Sequence, residues 1–123
     1  MKVLALDYGS ARTGVAVSDP TGTLARPLGV VRGVNDSDGF ERLIDVIRIE
    51  QPDEIVVGLP LTLRGEHGLQ ARETAGFVEA LRGAVDVPVE TYDERFTSVL
   101  ADGDDARAAA HLLEGYLQWR TNR

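Results

Sequence analysis

The chain has 123 residues, no cysteine, and 20 acidic against 13 basic residues, a net charge of −7. A chain of that length suits a single domain over 1–123 and buries roughly two-thirds of its unfolded surface. The composition excludes disulfide frameworks and thiolate metal sites, and argues against a protein that coats nucleic acid through a basic face, though not against an enzyme that holds phosphates through metal ions and a few local arginines.

The opening "MKVLALDYG" has one lysine and too short an apolar run for a signal peptide, and no stretch approaches 18 apolar residues, so the reading is a cytoplasmic protein without a membrane partner. "VLAL" (3–6) reads as a buried strand and "TGVAVSD" (13–19) as the next, the short turn between them implying an antiparallel hairpin. A third strand is expected in 23–33, with Pro27 at its edge or start. "NDSD" (35–38) offers N-caps for a helix whose Phe40, Leu43, Ile44 and Ile47 keep helical spacing. "PDEIVVGLP" (52–60) is a proline-bounded strand apolar on both faces, as at a sheet centre. A loop precedes a helix over 69–82, expected to bury Ala71, Ala75, Val78 and Leu81. "VPVETYD" (87–93) is a further strand, and a closing helix runs over 104–119. The order β-β-β-α-β-α-β-α predicts an α/β fold. Its mixed five-stranded sheet has a three-stranded antiparallel meander, then two parallel strands, with helices on the faces.

In such a sheet, sites form at the carboxyl ends of the parallel strands. Asp7 ends the first strand there, and the turn Gly9-Ser10-Ala11-Arg12 after it offers small residues for close anion approach and an arginine for a phosphate. The alternative is a strand-ending Asp that caps a turn. "DERFTS" (93–98) leaves the last strand with two carboxylates, Arg95 and two hydroxyls, Thr97 among them. Adjacent carboxylates on an extended chain point opposite ways, so only one of Asp93 and Glu94 faces the site; the pattern alone does not choose. In the last helix Ala109, Leu112, Leu113 and Tyr116 form the apolar stripe. Asp105 lies on that stripe one turn earlier, whereas Asp104 lines up with Ala108, His111 and Gly115 on a more polar face and suits an N-cap. His67, a loop histidine beside Gly68, reads as solvated rather than ligating. Three inward carboxylates without a His or Cys cluster suit Mg²⁺ or Mn²⁺, and two such ions can activate water and stabilise the leaving oxygen of a phosphodiester.

"LDYGSARTGVAVSD", "VVGLPL…G…G…QA", "DERFTS" and "D..AA..LLEGYL", in this order over nearly the whole chain, resemble the YqgF/RuvX family. These are bacterial RNase H-like proteins named as pre-16S rRNA nucleases and, earlier, as Holliday junction resolvases. The resemblance implies an RNase H-like fold, a divalent-metal site and three acids, both catalytic and metal-binding: Asp7, Glu94 and Asp105. Arg12, Arg95 and Thr97 are then the expected substrate contacts. Two departures stand out. Where the family usually has Asn and Asp after "GLPL", this chain has Thr62 and Arg64. Between "DERFTS" and the final Asp, where the family usually has a helix and a basic stretch, only "VLADG" stands before Asp104.

The expected function is endonucleolytic processing of the 5′ end of pre-16S rRNA by a monomer or homodimer, with the small ribosomal subunit as a further partner. The alternatives are a resolvase of branched DNA, which needs two sites and therefore a dimer, and a non-catalytic RNA-binding maturation factor. Three intact acids argue against the last, since a scaffold has no need to gather mutually repelling charges. Actin-like and sugar-kinase-like ATPases share the "DYG…TG" opening but need two such domains around a nucleotide.

Overall fold

The structure is a computed structural model and describes residues 1–59, 68–93 and 105–122. Its elements follow the expected order: β1 (Val3–Asp7), β2 (Arg12–Ser18), β3 (Ala25–Arg32), α1 (Ser37–Glu50), β4 (Glu54–Leu59), α2 (Leu69–Arg82), β5 (Val89–Asp93) and α3 (Asp105–Asn122). They form one sheet of order β3-β2-β1-β4-β5. The β1–β2 and β2–β3 pairs are antiparallel, and β1–β4 and β4–β5 are parallel. The expected meander followed by two parallel strands is therefore present.

Strand β1 is central because both of its faces are apolar. Val3, Leu4, Ala5 and Leu6 have no exposed surface. Alternation along the strand sends Leu4 and Leu6 into the core beneath α1 and α2, with Val15, Val17, Ile55 and Val57. Val3 and Ala5 go to the opposite core, with Ala16, Val56 and the apolar stripe of α3. Full burial of a side chain such as Leu4 or Leu6 contributes about 1.5–3 kcal/mol. The α3 face of the hairpin is built from Ala5, Gly14 and Ala16, small enough for a helix to lie close. Pro27 sits on the edge strand β3, as its missing N–H requires, beside a register shift opposite Val15 and Ala16.

Helix α1 buries Leu43, Ile44 and Ile47 as its spacing predicts, with Phe40 partly buried. Helix α2 departs from expectation at one position. Ala75 is exposed, and Thr74 and Phe77 are buried beside Ala71, Val78 and Leu81. The stripe is turned by one residue because Phe77 stacks on Tyr8, ring centroids 4.7 Å apart, and the larger ring takes the inward position. Strand β5 begins at Val89 rather than 87; Pro88 accepts a hydrogen bond from the Ile55 N–H (2.9 Å) but has none to donate. Helix α3 runs to Asn122, three residues beyond the expected end.

The far end of α3 is anchored under the sheet. The Tyr116 hydroxyl donates to Glu54 Oε1 at 2.6 Å, and Arg120 Nη1 lies 3.2 Å from the same oxygen. Burial, and then the Glu54 carboxylate, push the Tyr116 hydroxyl up to about 12. In the β2–β3 turn, Asp19 accepts hydrogen bonds from the Thr21 hydroxyl and the N–H groups of Thr23 and Leu24. The Thr21 hydroxyl and then these N–H groups hold its carboxyl down to about 2. This carboxylate is bound up in shaping a turn. Among the described residues no helix is long and apolar enough to cross a membrane.

Candidate active site

Because β1, β4 and β5 run parallel, their carboxyl ends, Asp7, Leu59 and Asp93, share one edge of the sheet. Asp7 follows Val3 and Ala5 in the alternation and so takes the α3 face. Directly opposite it on β2 is Gly14. A Cβ placed on Gly14 would stand 1.8 Å from the backbone carbonyl oxygen of Asp105 and 3.2 Å from the N of Ala106. The first turn of α3 therefore rests on the bare backbone of Gly14, beside Asp7. Two carboxylates 98 positions apart in sequence adjoin one glycine. Asp105 is in the first turn of α3, where the helix dipole favours negative charge.

The turn from β1 to β2 brings in Arg12. Its Nε lies 3.1 Å from Asp105 Oδ2, with the arginine side chain about half exposed and the carboxylate about a third. The turn's small residues have a cause of their own. A Cβ at Gly9 would stand 2.3 Å from the carbonyl oxygen of Arg12. The buried Thr13 hydroxyl donates to the Gly9 carbonyl at 3.1 Å, closing the turn from within. Glycine is required here for turn closure, which in turn sets Arg12 against Asp105.

On β5, Val89 belongs to the α1/α2 core and Tyr92 packs against the α3 core. Asp93 therefore lies on the α1/α2 face, away from Asp7 and Asp105. The expected site residues Glu94, Arg95 and Thr97 lie outside the described residues, as do His67, Thr62, Arg64 and Asp104. Of the expected set, the structure brings together Asp7, Arg12 and Asp105. The residue that sequence reasoning missed is Gly14, whose signal, a glycine inside an apolar strand, is itself an indication of close backbone approach. Among the described residues no three metal-ligating side chains form a cluster. The donors at hand are carboxylate oxygens: the chain has no cysteine, and His111 stands six positions along α3 from Asp105, off its face. Such oxygen donors fit Mg²⁺ or Mn²⁺.

A mixed sheet of this order, with an acid ending its central strand and a helix crossing the adjoining hairpin, defines the RNase H-like class. RuvC of T. thermophilus in complex with a Holliday junction substrate superposes with a TM-score of 0.61 over 98% of this chain and 96% of that one, at 19% identity, a likeness of fold. The family model described as "RuvX: Holliday junction resolvase" matches residues 1–119, and the chain belongs to that family. A Roseiflexus protein named "Putative pre-16S rRNA nuclease" is 46% identical over 101 residues, 82% of this chain and 72% of its own. A Sulfurihydrogenibium protein of the same name is 48% identical over 131 positions, covering 94% of this chain and 89% of its own. Those 131 positions exceed the 123 residues of this chain, so that relative carries residues within the matched span that this chain lacks.

Proposed function

We infer that the chain is a divalent-metal-dependent phosphodiester endonuclease that processes precursor 16S rRNA, with Asp7, Glu94 and Asp105 as its catalytic acids in one domain. The observation that carries this reading is the meeting of Asp7 and the α3 start over Gly14. Two carboxylates gathered at one sheet edge favour a cation between them, and Arg12 supplies positive charge to Asp105. The relatives' shared name supports the RNA substrate. The position of Asp93 on the other face supports assigning Glu94 to the site.

Asp7, Glu94 and Asp105 would hold Mg²⁺ or Mn²⁺, which supplies a water of lowered pKa and neutralises charge on the leaving oxygen. The chain's own residues do the placing. The β1 ladder fixes the Asp7 backbone between β2 and β4, and the Gly14 contact fixes Asp105 beside it. Arg12 offsets the negative charge of Asp105 and stands at the site edge, where its planar guanidinium can grip a phosphate through paired hydrogen bonds. Arg95 and Thr97 are assigned to the same substrate path. In a chain of net charge −7, these local cations are what bring a polyanion to the acids.

The family's description favours a second substrate, branched DNA. Resolution needs two coordinated cuts, hence a homodimer. The proposal is tested by Asp7→Asn, Glu94→Gln and Asp105→Asn. Each should lower Mn²⁺-dependent cleavage of a 5′-extended 16S precursor by at least about 10²-fold with the fold intact. Full activity in any one of them removes that residue from the site.

A further inference from the structure

On the opposite face of the sheet from Asp105, an open groove of about 720 Å³ runs between the β1–β2 turn, the start of α1 and the exposed side of α2. Its lining has three features that the proposed chemistry does not use. Its floor is apolar: the stacked Tyr8 and Phe77, both largely buried in the core, with the partly buried Phe40 beside them. The Tyr8 ring is fixed by hydrogen bonding between its hydroxyl and the Asn35 side chain, 3.0 Å to Oδ1 and 2.8 Å from Nδ2. Two carboxylates line it, Asp36 from the α1 N-cap and Glu73 from α2, and among the described residues no lysine or arginine does. Asp36 occupies the N-cap without its side chain capping the helix. Finally, Gly76 lies in the middle of α2, where glycine disfavours the helix. A Cβ there would meet nothing within 4 Å, so no packing contact demands the glycine; its missing side chain leaves the groove open.

We propose that this groove docks an arginine-bearing, partly apolar segment of a partner polypeptide. A guanidinium pairs with carboxylates and lies on an exposed ring; Asp36 and Glu73 supply the acids from different elements, and the partly buried Phe40 supplies the ring. The same charges repel a phosphate backbone, so nucleic acid is the wrong occupant. Tyr8 directly follows Asp7, so an occupant here touches the residue next to the proposed catalytic strand end while the α3 face stays open to substrate. The docking role stands on the groove itself and survives a failure of the nuclease reading.

The test is amide chemical-shift mapping on the full chain. The probes are a blocked hexapeptide of three arginines and three leucines, its counterpart with glutamates for arginines, and hexauridylate. The arginine peptide alone should give saturable shifts at Tyr8, Asn35, Gly76 and Phe77. Gly76→Leu, which fills the groove while favouring the helix, and the pair Asp36→Asn with Glu73→Gln should each weaken binding by about tenfold or more. The proposal is overturned by any of three results: no saturable shift at those residues up to about 10 mM peptide, equal binding of the glutamate peptide, or hexauridylate shifting the same residues. Unchanged affinity in Gly76→Leu overturns it as well.

Discussion

Gly14→Ala isolates the contact on which the site depends, because it leaves every acid in place. The new Cβ would stand 1.8 Å from the Asp105 carbonyl oxygen, and real Cβ contacts do not fall below 3.0 Å, so the start of α3 must retreat by about 1.2 Å. The obstacle is backbone on both sides, and no side chain can swing aside to admit it. Overpacking of this kind costs about 1–3 kcal/mol, which for a chain of this size lowers Tm by about 4–12 °C. The loss of activity should be larger than the loss of stability suggests. A displacement of about 1 Å at a catalytic group costs about 10²-fold in rate. The assay is single-turnover cleavage of the precursor with Mn²⁺, run well below the variant's Tm, beside thermal melting. Wild-type rate together with a wild-type melting curve would refute the reasoning, since α3 would then not be seated on Gly14. A lowered Tm with an unchanged rate would show that the seat matters for folding and not for the site.

Arg12→Ala should split two binding measurements in opposite directions. Removing a half-exposed ion pair worth about 0.2–1 kcal/mol frees Asp105, so Mn²⁺ should bind up to about fivefold tighter by titration calorimetry. Single-stranded RNA should bind more weakly, with a salt slope reduced by about 0.7 for each phosphate that is no longer neutralised. If neither constant moves, Arg12 touches neither metal ligand nor substrate. Mn²⁺ should raise Tm, by an amount equivalent to about 2.7 kcal/mol at a hundredfold excess over Kd, and should do so less in Asp7→Asn; an unresponsive melting curve would count against a metal site. Tyr116 ionises near 10 when unfolded and at about 12 when folded. The stability it contributes is therefore fully present below pH 10 and lost as the pH rises through 12. Tyr116→Phe should cost about 1–3 kcal/mol at neutral pH, because the hydrogen bond to Glu54 can no longer form, and should flatten the alkaline unfolding profile. An unaltered profile would mean that another group governs it.

How much of this was legible in the sequence depends on the range of the interaction involved. The element order, the edge position of Pro27 and the inward stripe carrying Asp105 all follow from period and turn chemistry, which are local. Ala75 was misplaced because helical spacing leaves the rotation of a stripe uncertain by one residue. The Tyr8–Phe77 stack decides it, and that contact joins residues 69 positions apart. The face of the sheet that Asp93 takes was closed to the sequence for a similar reason. Strand parity had to be tied to a face, and only the packing of Val89 and Tyr92 into opposite cores does so. Arg12 was expected to meet phosphate; the ion pair with Asp105 needs the turn closed by Gly9 and Thr13 as well as the seat on Gly14. Gly9 and Gly14 were visible throughout, but what each makes room for is a carbonyl elsewhere in the chain.

The central claim is that carboxylates at the Asp7 edge support metal-dependent cleavage of precursor rRNA. The most direct measurement incubates the protein with a 5′-extended 16S precursor and a four-way DNA junction in parallel, with Mn²⁺ or with chelator, alongside Asp7→Asn. The expected result is endonucleolytic cuts in the precursor that need Mn²⁺ and disappear in Asp7→Asn. Cleavage that survives chelation or the Asp7→Asn substitution, or cleavage confined to the junction, would contradict it.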